Sequence, residues 1–217
     1  HALIQDGVSF RRLGLVVIDE QQRFGVAQRA RLRAGGKDPH LLVLSATPIP
    51  RTLALTLYGA LDVSRLEGRP PGRRPAATRV LEGAGLQAAV PALRAHREAR
   101  GGAFVVCPRI GPAGQDGTVL AAAAFLRGVF GPDQVVVAHG EQGEAEREAA
   151  LAAFQEGRAG ILVATTVVEV GVDIPAATLM VVLEAHAFGL ATLHQLRGRV
   201  GRGAGAAECL LCAAPGQ

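Results

Sequence analysis

Residues 161–175 read I-L-V-A-T-T-V-V-E-V-G-V-D-I-P, and this stretch decides the fold. Its opening is an unbroken apolar run, the pattern of a strand buried in a sheet rather than of one with a solvated face. Two hydroxyl residues, Thr165 and Thr166, end the run, and Glu169, Gly171 and Asp173 follow. One more strand and turn would account for the valines but not for Gly-Val-Asp-Ile-Pro.

Outward from this stretch, segments of the same kind repeat. On the C-terminal side lie a strand at 179–183, the run H-A-F-G-L-A-T-L-H-Q leading into a helix, and a last strand at 208–213. On the N-terminal side the chain reads as strand 78–81, helix 90–100 with Pro91 in its first turn, and strand 103–107. A Gly/Pro loop at 108–117, helix 118–130, strand 134–138 and an acidic helix at 144–156 complete that side. Strands alternating with helices imply a parallel sheet with right-handed crossovers, an α/β fold. Earlier still, L-G-L-V-V-I at 13–18 reads as a strand buried on both faces. A basic amphipathic helix follows from about 26 to 34, closed by Gly35 and Gly36, and its arginines read as a solvated face. L-L-V-L at 41–44 is the next strand, and Pro50 suits the first turn of a helix running through Leu57. The prolines, glycine and arginines of 69–75 continue neither periodicity, so they form a linker between domains at 1–68 and 76–217.

The bulk numbers fit this division. A chain of 217 residues with 49% hydrophobic content has ample core, and only 4% aromatic residues means packing by small side chains. A net charge of +4 permits a polyanionic partner without demanding one. No apolar window is long enough to span a membrane and no charged-then-apolar leader opens the chain, so the expected compartment is the cytoplasm. Cys209 and Cys212 have C-x-x-C spacing, yet residues three apart on a strand face opposite ways, which spoils chelation. They read as core cysteines, as does Cys107.

Two stretches carry charge where chemistry can use it. Asp19 and Glu20 stand at the carboxyl end of the first strand, where α/β sheets bind ligands. Asp19 can there hold Mg²⁺ through its water shell, and Glu20 can orient or deprotonate an attacking water. An isolated Asp-Glu pair would as readily end a strand and start a helix. Q-L-R-G-R-V-G-R at 195–202 puts Gln195, Arg199 and Arg202 on one face if the helix continues, with Arg197 pointing elsewhere. Gly198 and Gly201 would each cost that helix roughly 1 kcal/mol relative to alanine, and one reason to keep them is close approach of a second body. Arginine, always charged and forked, suits a phosphate there.

Q-x-x-G-R-x-G-R resembles the last conserved motif of superfamily-2 helicases, and three further motifs place the resemblance. D-E-Q-Q-R-F-G at 19–25 resembles the Walker B motif of RecG-type helicases and of the related transcription-repair coupling translocase. S-A-T-P-I-P-R-T at 45–52 resembles the coupling motif of the same two families, and 161–175 resembles their fifth motif. Y-G-A-L-D-V-S and R-P-P-G-R look like the RecG branch, while Gln22, where RecG-type proteins usually carry His, favours the translocase. Glu141 replaces the basic residue usual after His-Gly.

The resemblance implies RecA-like parallel sheets flanked by helices, one domain partial and one near-complete. It implies a motor for branched DNA in recombination and repair, a monomer that uses ATP and Mg²⁺. Asp19 and Glu20 would serve the metal and the attacking water, and Arg199 and Arg202 would supply charge to the nucleotide. Gln22, Ser45, Thr47, Gly171, Asp173 and Gln195 would bind or couple the nucleotide, and Thr165 and Thr166 would touch the DNA backbone. The lone lysine, Lys37, follows Gly36 but lacks both the glycine five residues before that pair and the hydroxyl after it that G-x-x-x-x-G-K-[ST] needs, so the chain carries no Walker A loop. The family's wedge domain and its helical-hairpin motif are also missing, so the chain reads as a fragment. The transcription-repair coupling translocase is the nearest rival reading. A non-catalytic nucleic-acid-binding module would not need the acids and arginines, and a metal-dependent nuclease would need more carboxylates near Asp19.

Overall fold

The structure, a computed structural model, describes residues 8, 10–19, 39–45, 62–64, 66, 68, 75–83, 85–112, 115–166, 177–201 and 206–214. The helices expected at 26–34 and through Leu57 lie outside these residues. The chain divides into two compact units, His1–Glu67 and Gly68–Gln217.

In the first unit β1 (Leu15–Ile18) and β2 (His40–Val43) pair in parallel, with Leu15 opposite His40 and Ile18 opposite Val43. Val16 and Ile18 are buried, but Leu15 and Val17 are 55% and 53% exposed. The expectation of a strand buried on both faces is therefore wrong for β1. Pairing with β2 covers an edge of β1 and neither face, and none of the described elements covers the face of Leu15 and Val17.

The second unit holds β3 (Ala77–Glu82), α1 (Leu86–Glu98), β4 (Gly102–Val106), α2 (Val119–Phe130), β5 (Val135–Ala138), α3 (Glu144–Gln155), β6 (Ile161–Ala164), β7 (Ala177–Val182), α4 (Leu190–Arg197) and β8 (Glu208–Ala213). The strands form a six-stranded parallel sheet in the order β3-β8-β7-β4-β6-β5. After β4 the chain fills one side of the sheet, and after β6 it crosses to the other. The order thus reverses between β4 and β7, the position where open α/β sheets form their ligand crevices.

Period-two alternation sorts the central strands between two cores. Ala103, Val105, Ile161, Val163, Leu179 and Val181 point to the face covered by Leu86, Ala89 and Leu93 of α1 and Val119, Ala122 and Leu126 of α2. Phe104, Val106, Leu162, Ala164, Met180 and Val182 point the other way, against Phe154 of α3 and Leu196 of α4. Burial on both faces is why β4, β6 and β7 read as continuous apolar runs.

Helix α1 corrects one boundary. It begins at Leu86 rather than Val90, so Pro91 sits in its interior instead of its first turn. The buried face already starts at Leu86, and packing of Leu86, Ala89 and Leu93 outweighs the backbone bond that proline cannot make. Helix α2 starts as expected, with Thr118 as its cap. The buried Thr118 hydroxyl accepts from the Ala121 N–H at 3.3 Å and donates to the Gln115 carbonyl at 2.7 Å.

Truncating this core has a large effect only where the side chain is enclosed. Leu126→Ala, at a fully buried position, is expected to lower unfolding free energy by about 2–5 kcal/mol. Leu190→Ala, at an 85% exposed position, is expected to stay within about 0.5 kcal/mol. Urea denaturation of both variants checks the pair, and equal effects would contradict the assigned core.

Candidate functional site

The parallel register sets out the carboxyl edge of the sheet as a row. Val106 pairs with Ala164 on one side and Val182 on the other, and Ala138 and Leu211 stand at the next strands. The ladder runs one step further, since the Cys107 N–H donates to the Ala164 carbonyl and the Leu183 N–H to the Val106 carbonyl, each at 2.9 Å. One residue beyond that row, His139, Thr165, Cys107, Leu183 and Cys212, the last still within β8, therefore lie side by side. Thr165 and Thr166 are half-buried, which leaves both at the surface of this edge. The His139 N–H donates to Gln142 Oε1 at 2.8 Å, while its own Nδ1 is buried and makes no hydrogen bond among the described residues.

Arg109 and Glu184 join this edge, and the sequence reading passed over both. Arg109 Nη2 donates to the two carboxylate oxygens of Glu184 at 2.9 and 2.8 Å. Glu184 is held at φ 46° and ψ 50°, the left-handed region, which in a residue with a side chain stores about 1–3 kcal/mol. An ion pair this exposed returns only about 0–1 kcal/mol, so the pair alone does not account for the strain. A Cβ at Gly117, itself at φ 74°, would strike the Glu184 carboxylate. Beside Glu184 a cavity of about 610 Å³ opens between α1, α2 and the strand ends, lined by Leu86, Gln87, Gly117, Phe125, Glu184 and His186. The missed signal was an acid at the end of an apolar strand, the same signal that marked Asp19.

The arginine stretch departs from expectation. Helix α4 ends at Arg197 with Gly198 as its cap, so the helical face expected to carry Gln195 and Arg199 stops before Arg199. A Cβ on Gly198 would sit 3.3 Å from the Gln195 carbonyl oxygen and 3.4 Å from that of His194, and Gly201 has φ 74°. Gly201 is in the left-handed region that favours glycine, whereas Gly198, at φ −68°, is in a conformation that any residue adopts. Beyond them the Gly201 N–H donates to the Ala177 carbonyl at 3.3 Å, at the amino end of β7. Six strand residues separate that end from the threonine edge, about 16 Å. Arg199 thus lies near the opposite end of the sheet from Thr165 and Thr166. Gln195 and Arg199 are half-buried, and each is held by at least one interaction.

In the first unit two of the named residues share an edge. The Leu44 N–H donates to the Ile18 carbonyl at 2.8 Å, so Asp19 and Ser45 both emerge, exposed, at the carboxyl end of one strand pair. Each takes part in at least one interaction. Glu20, Gln22, Thr47, Gly171, Asp173 and Arg202 lie outside the described residues.

With this geometry in hand, similarity to known proteins is informative. The helicase conserved C-terminal domain matches residues 88–204. The ATP-dependent DNA helicase RecG of Synechocystis sp. is 49% identical over 97% of this chain, and that of Acidithiobacillus ferridurans 46% over 97%. The chain spans only about a quarter to a third of these relatives, 26% and 31% of their lengths. The structure of RecG bound to a three-way DNA junction superposes with a TM-score of 0.73 at 40% identity, covering 99% of this chain and 28% of that one.

The thiols are structural. Cys209 and Cys212 sit in opposite cores, one on each face of β8. Burial pushes the Cys107 thiol up to about 12, with the Glu184 charge adding to it, and burial pushes Cys209 and Cys212 up to about 11. All three folded-state values lie above the ordinary 9.0, so their contribution to stability is complete below that pH. It is lost as pH rises through 9 towards 11–12, because the unfolded chain sheds protons that the folded chain keeps. Urea midpoints are therefore expected to fall between about pH 8 and about pH 10.5, and to fall less in Cys107→Ala. An unchanged slope in that variant would remove Cys107 from the account.

Proposed function

The chain belongs to the helicase conserved C-terminal domain family, and from that premise we propose that it is the motor portion of a RecG-type ATP-dependent DNA helicase that remodels branched DNA. The observation that carries this reading is 49% identity to a RecG helicase across 97% of the chain. The protein would act in recombination and repair, as a monomer in the cytoplasm. Among the described residues no helix is long and apolar enough to cross a membrane.

In the proposed mechanism the two ends of the second unit do different work. Thr165 and Thr166, half-buried at the carboxyl edge, hold strand phosphates through their hydroxyls. Arg199 and Arg202 present guanidinium charge to the nucleotide, with Gln195, Gly171 and Asp173 positioning it. In the first unit Glu20 orients the attacking water and takes its proton, while Gln22, Ser45 and Thr47 relay the state of the nucleotide. The oxygens of Asp19 and Ser45 at one sheet edge suit Mg²⁺, a hard cation that keeps most of its waters. When bound, the metal would neutralise charge on the phosphate oxygens.

Two measurements test the reading. The 217-residue chain lacks the Walker A loop that positions the β- and γ-phosphates, so it is expected not to hydrolyse ATP. DNA-stimulated turnover above a Glu20→Gln control would contradict that. In a longer protein carrying this chain and a phosphate loop, Arg202→Ala is expected to lower turnover about 10³–10⁵-fold, ~4–7 kcal/mol of barrier, while DNA binding persists. Arg202→Lys is expected to rescue little, since a point charge does not reproduce the fork, and Arg197→Ala to be milder. If Arg197→Ala were as damaging as Arg202→Ala, the assignment of Arg202 would fail.

A further inference from the structure

Arg109 and Glu184 have no part in the proposed motor chemistry, yet they form the most constrained polar pair on the carboxyl edge. The carboxylate is the fixed member. Its backbone is in the left-handed region, Gly117 leaves it just enough room, and its side chain is only 30% exposed. The guanidinium is the free-swinging member, 54% exposed at the end of a long arm. Its backbone is pinned by the Val119 N–H, which donates to the Arg109 carbonyl at 2.9 Å.

The contact between them uses little of the arginine. Both carboxylate oxygens converge on Nη2, and Nε and Nη1 make no hydrogen bond among the described residues. A guanidinium offers five donors in a planar fork matched to two-oxygen anions. The side chain is about half exposed, two residues beyond Cys107, which lies in the row with Thr165. A carboxylate and a phosphodiester compete for such a group on similar terms, because a half-exposed pair is weakly held.

We propose that Arg109 is a phosphodiester-backbone contact masked by Glu184, so that a nucleic-acid strand laid along the carboxyl edge gains this cation by displacing the carboxylate. The inference rests on the reading of the chain as part of a DNA motor. In the unoccupied edge Glu184 neutralises Arg109 and lowers its attraction for stray anions. Once the strand engages Thr165 and Thr166, its neighbouring phosphate reaches the exposed side of the fork and takes the guanidinium over.

The test titrates the 217-residue chain with a labelled single strand and a labelled duplex at several salt concentrations. Glu184→Gln is expected to tighten binding about five-fold, the size of one half-exposed ion pair. It is also expected to steepen the single-strand salt slope by up to about 0.7. Arg109→Ala is expected to weaken binding, and the double variant to match Arg109→Ala, because the gain needs the arginine. Glu98→Gln, an exposed acid at the end of α1, controls for the change in net charge. A gain in Glu98→Gln equal to that in Glu184→Gln, or a gain that survives in the double variant, overturns the proposal. So does a gain for labelled ATP instead of the strand. Should Glu184→Gln unfold, Arg109→Ala decides alone, and unchanged affinity and slope refute the contact. If substitutions at Thr165 and Thr166 weaken binding while those at Arg109 and Glu184 do nothing, only this inference fails. If the parent chain and every variant ignore DNA at low salt, the motor reading fails with it.

Discussion

The parallel ladder that seats β4 between β6 and β7 is the constraint on which the second unit depends. Each central strand spends its backbone donors and acceptors on two neighbours and buries side chains on both faces. Slipping any one of them by a single residue would turn every apolar side chain to the wrong core and shift the ladder bonds. The strand ends are therefore fixed in a row, and the loops beyond them inherit their positions. His139, Thr165, Cys107 and Leu183 are neighbours for that reason alone, although they are far apart in the chain.

The same ladder separates two groups of residues named by the motifs. β7 is six residues long, and α4 packs across the sheet to bring Gly201 back to the start of that strand. Residues that follow α4 are delivered to the amino end, whereas the threonines of β6 are delivered to the carboxyl end. A layer of buried side chains, among them Leu196 and Val200, stands between the two. A close-packed layer transmits displacement rather than absorbing it. Under the proposed function, this layer would link strand contact at one end to nucleotide contact at the other.

Glu184 shows how an edge of this kind stores constraint. The left-handed backbone at Glu184 is not repaid by the exposed ion pair to Arg109, so the surrounding structure must hold it. That support is visible in Gly117 beneath the carboxylate and in the short 3-10 turn at Ala185–Ala187 that Glu184 caps. Removing the Arg109 side chain would leave the strain in place, while adding a side chain at Gly117 would displace the carboxylate itself.

Much of this was readable from the residues, and the exceptions have causes. Continuous apolar runs identified β4, β6 and β7, because burial on both faces leaves no polar alternation to misread. The alternation of strands and helices fixed the α/β class, and C-x-x-C on a strand correctly indicated two opposed core thiols. The loop residues that matched known motifs named Asp19, Ser45, Thr165 and Thr166, and the fold sets them all at strand carboxyl ends. Helix limits were less legible. Gln195 and Arg199 were expected on one continuing helical face, but α4 ends at Arg197 with Gly198 as its cap, a boundary that residue spacing does not encode. β1 looked doubly buried because its apolar run matches the central strands; only the sheet around it shows that one face lies open. Arg109 and Glu184, 75 residues apart, meet solely because β4 and β7 are adjacent. Local pattern determines which segments become strands and helices, since propensity and burial act along the chain. Which distant side chains share an edge is decided by strand order, and strand order exists only once the sheet has formed.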